Sequence, residues 1–384
     1  MRGHIKKRSK NSWTVVVDLG YDAATGRRRQ VWRTAYGSKR DAEMMQARLI
    51  AEVGDGLHQT PAKITVADLL NRWLSDYAKP NTAPRTYERY EQIVRMHLIP
   101  ALGRLPLKNL RPTHIQAYYA RALAQARSAQ SDRPLTAQTV VHHHRVLSEA
   151  LQQGIRWQIM ARNPAAGVTP PRIVRREMQV LTPVDAKKLL DACDDEQFRT
   201  LIFVALSTGL REGELLGLRW PDIDLERGQL RVQRTLLTLR GGTLQFAEPK
   251  TRRSRRQVAI SRETVRWLRE HRTRQLETRL AAGKAYQDQA LVFADAVGEP
   301  IKPQKIAPRF KRFVKRAGLP PLRFHDLRHT SASLLLAAGV HPKIVSERLG
   351  HSNVNITLDT YSHVLPGLQD AAAELLDQYL PRGR

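Results

Sequence analysis

The sequence has almost no cysteine and no long apolar run. Cys193 is the single thiol among 384 residues, so the chain cannot form an internal disulfide, and one thiol argues against zinc fingers. No stretch of about 18 apolar residues is present to span a bilayer. The amino terminus, from Met1 to Arg8, leads into no apolar signal region. These absences predict a protein of the reducing cytoplasm.

Acidic residues are also scarce. There are 36 Asp and Glu residues against 64 Lys and Arg, which gives a formal net charge of +28. A compact chain this basic repels itself unless a polyanion neutralises it. Nucleic acid is the leading candidate, because each neutralised phosphate releases a counterion; a membrane surface is the competing partner. No cluster of acidic ligands indicates a metal ion, and we expect neither a metal nor a cofactor.

The length suggests two or three domains. We predict a β-rich unit with one helix over residues 1–60, a helical domain over 61–165, a linker over 166–181, and a mixed α+β, mainly helical domain over 182–384. The cues are turn residues, helix caps and apolar spacing. Thr65 and Thr182 are predicted to cap helices, and 231–239 is predicted to form one strand.

Phosphodiester cleavage needs an in-line nucleophile, cations around the non-bridging oxygens, and a proton for the leaving oxygen. The segment Thr208-Gly209-Leu210-Arg211-Glu212-Gly213-Glu214 predicts a helix that starts after a glycine turn. Arg211 would lie at the amino end of that helix, where an anion is favoured. Glu214, on the same face, could orient the guanidinium, although this spacing usually marks a surface ion pair.

A second basic group occurs at His325-Asp326-Leu327-Arg328-His329-Thr330. His325 and Arg328 lie one helical turn apart, so the imidazole and the guanidinium can face one phosphate. His329 and His363 neighbour this site. We expect them to pack or to contact backbone, and a direct role for each stays open as the alternative. The other interpretation of the segment is a solvated basic turn.

The last motif runs from Leu349-Gly350-His351 to Tyr361. Gly350 is predicted to end a helix and to leave His351 at the turn. Tyr361 is predicted on a short helix beyond, where nearby Arg and His residues could activate a weak phenol nucleophile. Neither His351 nor Tyr361 indicates a function alone. The occurrence of all three motifs in this order does.

Together these motifs resemble the tyrosine recombinase family, the phage-type integrases. The resemblance is strong over about 182–370 and looser over 64–160, which is similar to the family's helical core-binding domain. Residues 1–60 resemble the arm-binding domain, a small three-stranded sheet with a helix. The resemblance to this family implies a multidomain fold. It also implies site-specific cleavage and rejoining of DNA, for a phage or another mobile element.

The resemblance also implies residue roles. Arg211 and Arg328 would hold the scissile phosphate, His325 and His351 would bond its oxygens or shuttle protons, and Tyr361 would form a 3′-phosphotyrosyl bond. Lys250, between two strand patterns, would be the general acid, although neighbouring basic residues compete for that role. The implied partners are double-stranded attachment sites, a homotetramer formed on DNA, and accessory bending and directionality factors.

Further basic residues are predicted to contact DNA, in the amino-terminal hairpin and around Lys250. They are Arg27, Arg28, Arg29, Arg33, Arg252, Arg253, Arg255 and Arg256. Two alternatives to recombination stay open. One is a type IB topoisomerase-like relaxing enzyme, and the other is a DNA-binding regulator with a decayed active site. A metal-dependent nuclease is disfavoured because an acidic ligand cluster is missing.

Overall fold

The computed structural model describes residues 3–21, 28–54, 64–124, 134–174, 178–248, 255–361 and 376. The chain divides into two compact units, Met1–Arg175 and Arg176–Arg384. Within the described residues, no helix is both long enough and apolar enough to cross a membrane. The three boundaries drawn from the sequence, at 60/61, 165/166 and 181/182, remain predictions.

The chain begins with an antiparallel sheet and one helix. Its elements are β1 (Gly3–Ser9), β2 (Ser12–Tyr21), β3 (Arg28–Tyr36) and α1 (Lys39–Gly54). The strand order is β1-β2-β3. Val15 and Val17 of β2 pack in a small core with Ala42 and Leu49 of α1. The sheet is therefore three-stranded, as the resemblance implied.

The next part of the first unit is helical. Its α-helices are α2 (Val66–Arg72), α3 (Lys79–Asn81), α4 (Pro84–Ile93), α5 (Ile99–Leu102), α6 (Pro112–Ala124) and α7 (Ala137–Arg156). The predicted cap is present: Thr65 accepts from the Asp68 amide, and Asp68 accepts from the Thr65 amide. Two π-helical turns, Trp73–Ala78 and Val94–Leu98, join consecutive helices and keep Trp73 in the apolar core. Val168, inside the predicted linker, also packs there.

The second unit is mainly helical around one large apolar core. Its helices are α8 (Pro183–Asp191), α9 (Glu196–Thr208), α10 (Glu212–Leu216), α11 (Arg262–Ala282), α12 (Pro303–Arg316), α13 (Asp326–Ala337), α14 (Pro342–Leu349) and α15 (Val354–Tyr361). Thr182 caps α8 and Pro183 is its first residue, as predicted.

Short antiparallel strands lie beside these helices. They are β4 (Ile223–Asp224), β5 (Gln229–Val232), β6 (Thr235–Thr238), β7 (Leu244–Ala247) and β8 (Arg256–Ala259). The prediction of one strand over 231–239 is wrong. The chain leaves one sheet, ordered β4-β5-β8, and enters a separate β6-β7 hairpin. The break falls at Arg234, whose guanidinium pairs with buried Asp222.

Candidate active site

Arg211 is positioned by a helix end and a helix start. Gly209 ends α9 in the left-handed region with a φ of 67°, and Arg211 then occupies the N-cap position of α10. A β-carbon on Gly209 would lie 2.5 Å from Leu349 Cδ2, so glycine is needed for both conformation and space. The Arg211 guanidinium donates to Glu214 Oε1 at 2.8 Å and to the Gly350 carbonyl at 3.2 Å. The sequence therefore located this residue correctly at a helix start.

Glu214 is buried and holds two guanidinium groups together. Besides Arg211, it accepts from Arg256 Nη1 at 3.1 Å and Nη2 at 2.9 Å. Burial alone would raise the pKa of Glu214, but the bonds and charge of Arg256, with those of Arg211, outweigh it and lower the pKa. Glu214 thus stays ionised and supports Arg211.

Arg328 lies on α13 and is buried, with 3% of its surface exposed. Its Nη1 donates to the Gly209 carbonyl at 2.8 Å. Its Nη2 has no hydrogen-bond partner among the described residues. Burial, followed by the charge of Arg211, lowers the pKa of Arg328 to about 9, so the group is still a cation at neutral pH. A buried cation with an unused N–H group is prepared to receive an anion.

The two motif histidines come from different helix ends. His325 lies at the N-cap position of α13, with its ring centroid 5.0 Å from that of His329. Gly350 ends α14 with a φ of 68°, and His351 follows. The Nδ1 atom of His351 lies 2.8 Å from Thr357 Oγ1, which fixes the ring. Burial lowers the pKa of His351 to about 4, and the charges of Arg328 and Arg211 act in the same direction.

Tyr361 is the last residue of α15, and 1% of its surface is exposed. Its ring packs with Leu336, Val345 and Leu349 in a small core beside the site. The hydroxyl lies 2.7 Å from His329 Nδ1. Burial raises the pKa of Tyr361 to about 12, although the charge of Arg328 acts to lower it. The phenol is therefore protonated at neutral pH and needs help to become a nucleophile.

The structure gives two residues beside the site contacts that the sequence did not lead us to expect. His329 was expected to pack or contact backbone, but it bonds the Tyr361 hydroxyl. Arg256 was expected on a DNA-contacting loop, but its side chain is 6% exposed and its Nε donates to the Arg348 carbonyl at 2.6 Å. The signal for His329 was its place one turn after His325; nothing local distinguished Arg256 from its basic neighbours.

Other predicted DNA contacts lie on exposed surface or outside the described residues. Arg28 pairs with Asp18, Arg255 pairs with Glu248, and Arg33 is exposed. The backbone of Arg29 lies in β3, but the structure does not describe its side chain. Four predicted residues and one neighbouring histidine lie wholly outside the described residues: Arg27, Lys250, Arg252, Arg253 and His363. Across the described ranges, no three His, Cys, Asp or Glu side chains are grouped to hold a metal ion.

Two known protein families match separate parts of this chain. Residues 179–367 match the phage integrase family, and residues 65–123 match the phage integrase N-terminal SAM-like domain. A XerC-like tyrosine recombinase of Caldanaerobacter subterraneus subsp. tengcongensis is 31% identical to this chain, with 97% of each chain covered. The chain belongs to the phage integrase family. As an integrase, it is a tyrosine-type site-specific DNA recombinase.

Solved structures show the same fold. An integrase of the Tn1549 transposon, in complex with transposon right end DNA, has a TM-score of 0.69 at 22% identity, covering 82% of this chain and 99% of that one. A lambda integrase tetramer bound to a Holliday junction has a TM-score of 0.55 at 19% identity, covering 93% and 94%. The expected multidomain fold of an integrase is confirmed.

Proposed function

We propose that Tyr361 is the nucleophile and that Arg211 and Arg328 hold the scissile phosphate of a DNA attachment site. The observation that carries this is the Nη2 group of Arg328, which is buried and has no partner within the described part of the chain. A phosphate oxygen would satisfy that donor and balance the charge of the guanidinium. Arg211, oriented by Glu214, supplies the second guanidinium.

In the proposed step, Tyr361 Oη attacks phosphorus, and the bond between phosphorus and the 5′ oxygen breaks. The product is a 3′-phosphotyrosyl bond and a free 5′ hydroxyl. His325 and His351 hydrogen-bond the phosphate oxygens. Lys250 protonates the leaving 5′ oxygen, a role that rests on the resemblance. The covalent bond retains the energy of the phosphodiester, so that rejoining needs no nucleotide.

The proposed setting is a homotetramer on two attachment sites of a phage or other mobile element. Recombination joins two duplexes, so four strands must be cut. The lambda tetramer on a Holliday junction supports this assembly by its fold. We propose that the enzyme acts in the cytoplasm, at the nucleoid when bound, with accessory bending and directionality factors.

The amino-terminal sheet is proposed to bind a second class of DNA site. Trp32 and Tyr36 of β3 are 59% and 80% exposed, and Arg33 is exposed beside them. A cationic strand with exposed aromatic side chains can enter a DNA groove and contact phosphates.

A nicked attachment site, which traps the cleaved complex, tests the nucleophile. We expect the wild-type protein to form an adduct that resists denaturation, and Tyr361→Phe to bind DNA equally but form none. An adduct in the Tyr361→Phe reaction would remove Tyr361 from the mechanism. Failure of the wild-type protein to form any adduct would support the decayed regulator instead.

Exchange between two intact duplexes separates recombination from relaxation. An integrase should produce recombinant strands from two labelled attachment sites. Removal of supercoils without exchange, under conditions that support adduct formation, would favour the topoisomerase-like alternative.

A further inference from the structure

His329 is placed against the atom that reacts. It follows Arg328 on α13, and its Nδ1 lies 2.7 Å from the Tyr361 hydroxyl. The two rings are 5.8 Å apart at an interplanar angle of 53°. No other hydrogen bond of this hydroxyl occurs within the described ranges of the chain. The contact therefore joins the proposed nucleophile to a group that can take up a proton.

The other motif histidines face different partners. His351 uses its Nδ1 on Thr357, and the ring of His325 meets the ring of His329 edge to face. Neither makes a hydrogen bond to Tyr361 within the described chain. Among the described residues, a proton leaving the phenol thus has His329 as its nearest acceptor.

The surroundings of His329 favour a neutral ring. The charged groups near it are Arg323, Asp326 and Arg328, and the titratable rings of His325 and His351 are also close by. Burial lowers the pKa of His329, Asp326 acts to raise it, and the two arginines act to lower it. At neutral pH the ring carries one proton, so when Nε2 holds it Nδ1 can accept a bond from the phenol.

We propose that His329 is the general base that activates Tyr361, a catalytic role that rests on the nucleophile proposed above. As Oη bonds to phosphorus, the phenolic proton moves to His329 Nδ1. The bond from phosphorus to the 5′ oxygen breaks, and that oxygen takes its proton from the separate general acid. In rejoining, the 5′ hydroxyl attacks phosphorus and gives its proton back to the group that served as general acid. The bond from phosphorus to Tyr361 Oη breaks, and His329 returns its proton to that departing oxygen.

Two substitutions separate proton transfer from simple positioning. In His329→Asn, the amide oxygen can occupy the place of Nδ1 and accept the same bond, but it cannot take the proton. His329→Ala removes both functions. We expect both variants to slow adduct formation on the nicked substrate by about 100-fold or more, the usual range for loss of a general base. His341→Asn is the matched control, because His341 is exposed and caps α14, a place where Asn also serves.

The result that would overturn the proposal is a His329→Asn variant that forms adduct at the wild-type rate while His329→Ala is slow. That result would mean that His329 only positions the Tyr361 hydroxyl and takes up no proton. If Tyr361→Phe forms the adduct, the nucleophile assignment fails. If Tyr361→Phe is inactive and His329→Asn is fully active, only the general-base role fails.

A more acidic nucleophile gives a second readout that a folding defect would not mimic. Replacing Tyr361 with 3,5-difluorotyrosine supplies a phenol that ionises more readily and depends less on a base. We expect the deficit of His329→Asn to shrink to a few-fold in this background. A deficit that stays near 100-fold would contradict the general-base role.

Discussion

At the scale of single residues, Glu214 carries more of the site's stability than its surface-pair spacing suggests. It is 5% exposed and balances two guanidinium groups. Glu214→Gln should lower the free energy of unfolding by about 3 kcal/mol, because it leaves buried cations without their countercharge. Urea denaturation checks this.

The matched control for Glu214→Gln is Glu226→Gln. Glu226 pairs with Arg269 but is 85% exposed, so we expect its loss to change stability by less than about 1 kcal/mol. Equal losses in both variants would mean that burial of Glu214 is not what stabilises the pair.

The neutral histidine at 351 gives stability a pH dependence. Its folded pKa of about 4 lies below the ordinary value of 6.5, so the unfolded chain binds a proton that the folded chain does not. The stabilisation is full above pH 6.5 and is lost as the pH falls toward 4. We expect the unfolding free energy to fall from pH 7 to pH 5 and to fall less in His351→Gln. Parallel pH curves would contradict this.

At the scale of the elements, the turn after α9 links packing to catalysis. The Gly209 carbonyl accepts from Arg328, and its α-carbon faces Leu349. Gly209→Ala should destabilise the protein by about 1 to 3 kcal/mol more than Gly339→Ala and should slow adduct formation. Gly339 has a similar φ of 78° with no atom within 4 Å of an added β-carbon, so it isolates the backbone strain. Equal effects would remove the packing argument.

Local sequence signals predicted the elements that carry the site. A left-handed glycine, a helix cap and a one-turn spacing are short-range features, so the placement of Arg211 and Gly350 followed from a few neighbouring residues. The hydrophobic pattern of the sequence does not predict β1. Its residues, Gly3–Ser9, are mostly exposed and basic, and apolar and polar side chains do not alternate along them. The break at Arg234 depended on Asp222, twelve residues away in sequence, which no local pattern reveals.

At the scale of the whole molecule, the net charge of +28 should dominate DNA affinity. Binding should weaken steeply with salt, with a slope of log affinity against log salt of about −0.9 for each phosphate neutralised. Arg33→Gln should make that slope shallower by about one, whereas Tyr361→Phe, which removes no charge, should leave it unchanged. Titrations at several salt concentrations give the slopes. An unchanged slope for Arg33→Gln would argue against phosphate contact by the amino-terminal sheet.

We propose that buried Tyr361 becomes bonded to DNA at the phosphate held by Arg211 and Arg328. The most direct measurement is mass spectrometry of the adduct after digestion of both protein and DNA. We expect one modified peptide, in which Tyr361 carries a nucleotide through its 3′ phosphate. A nucleotide found on another residue, or linked through a 5′ phosphate, would contradict it.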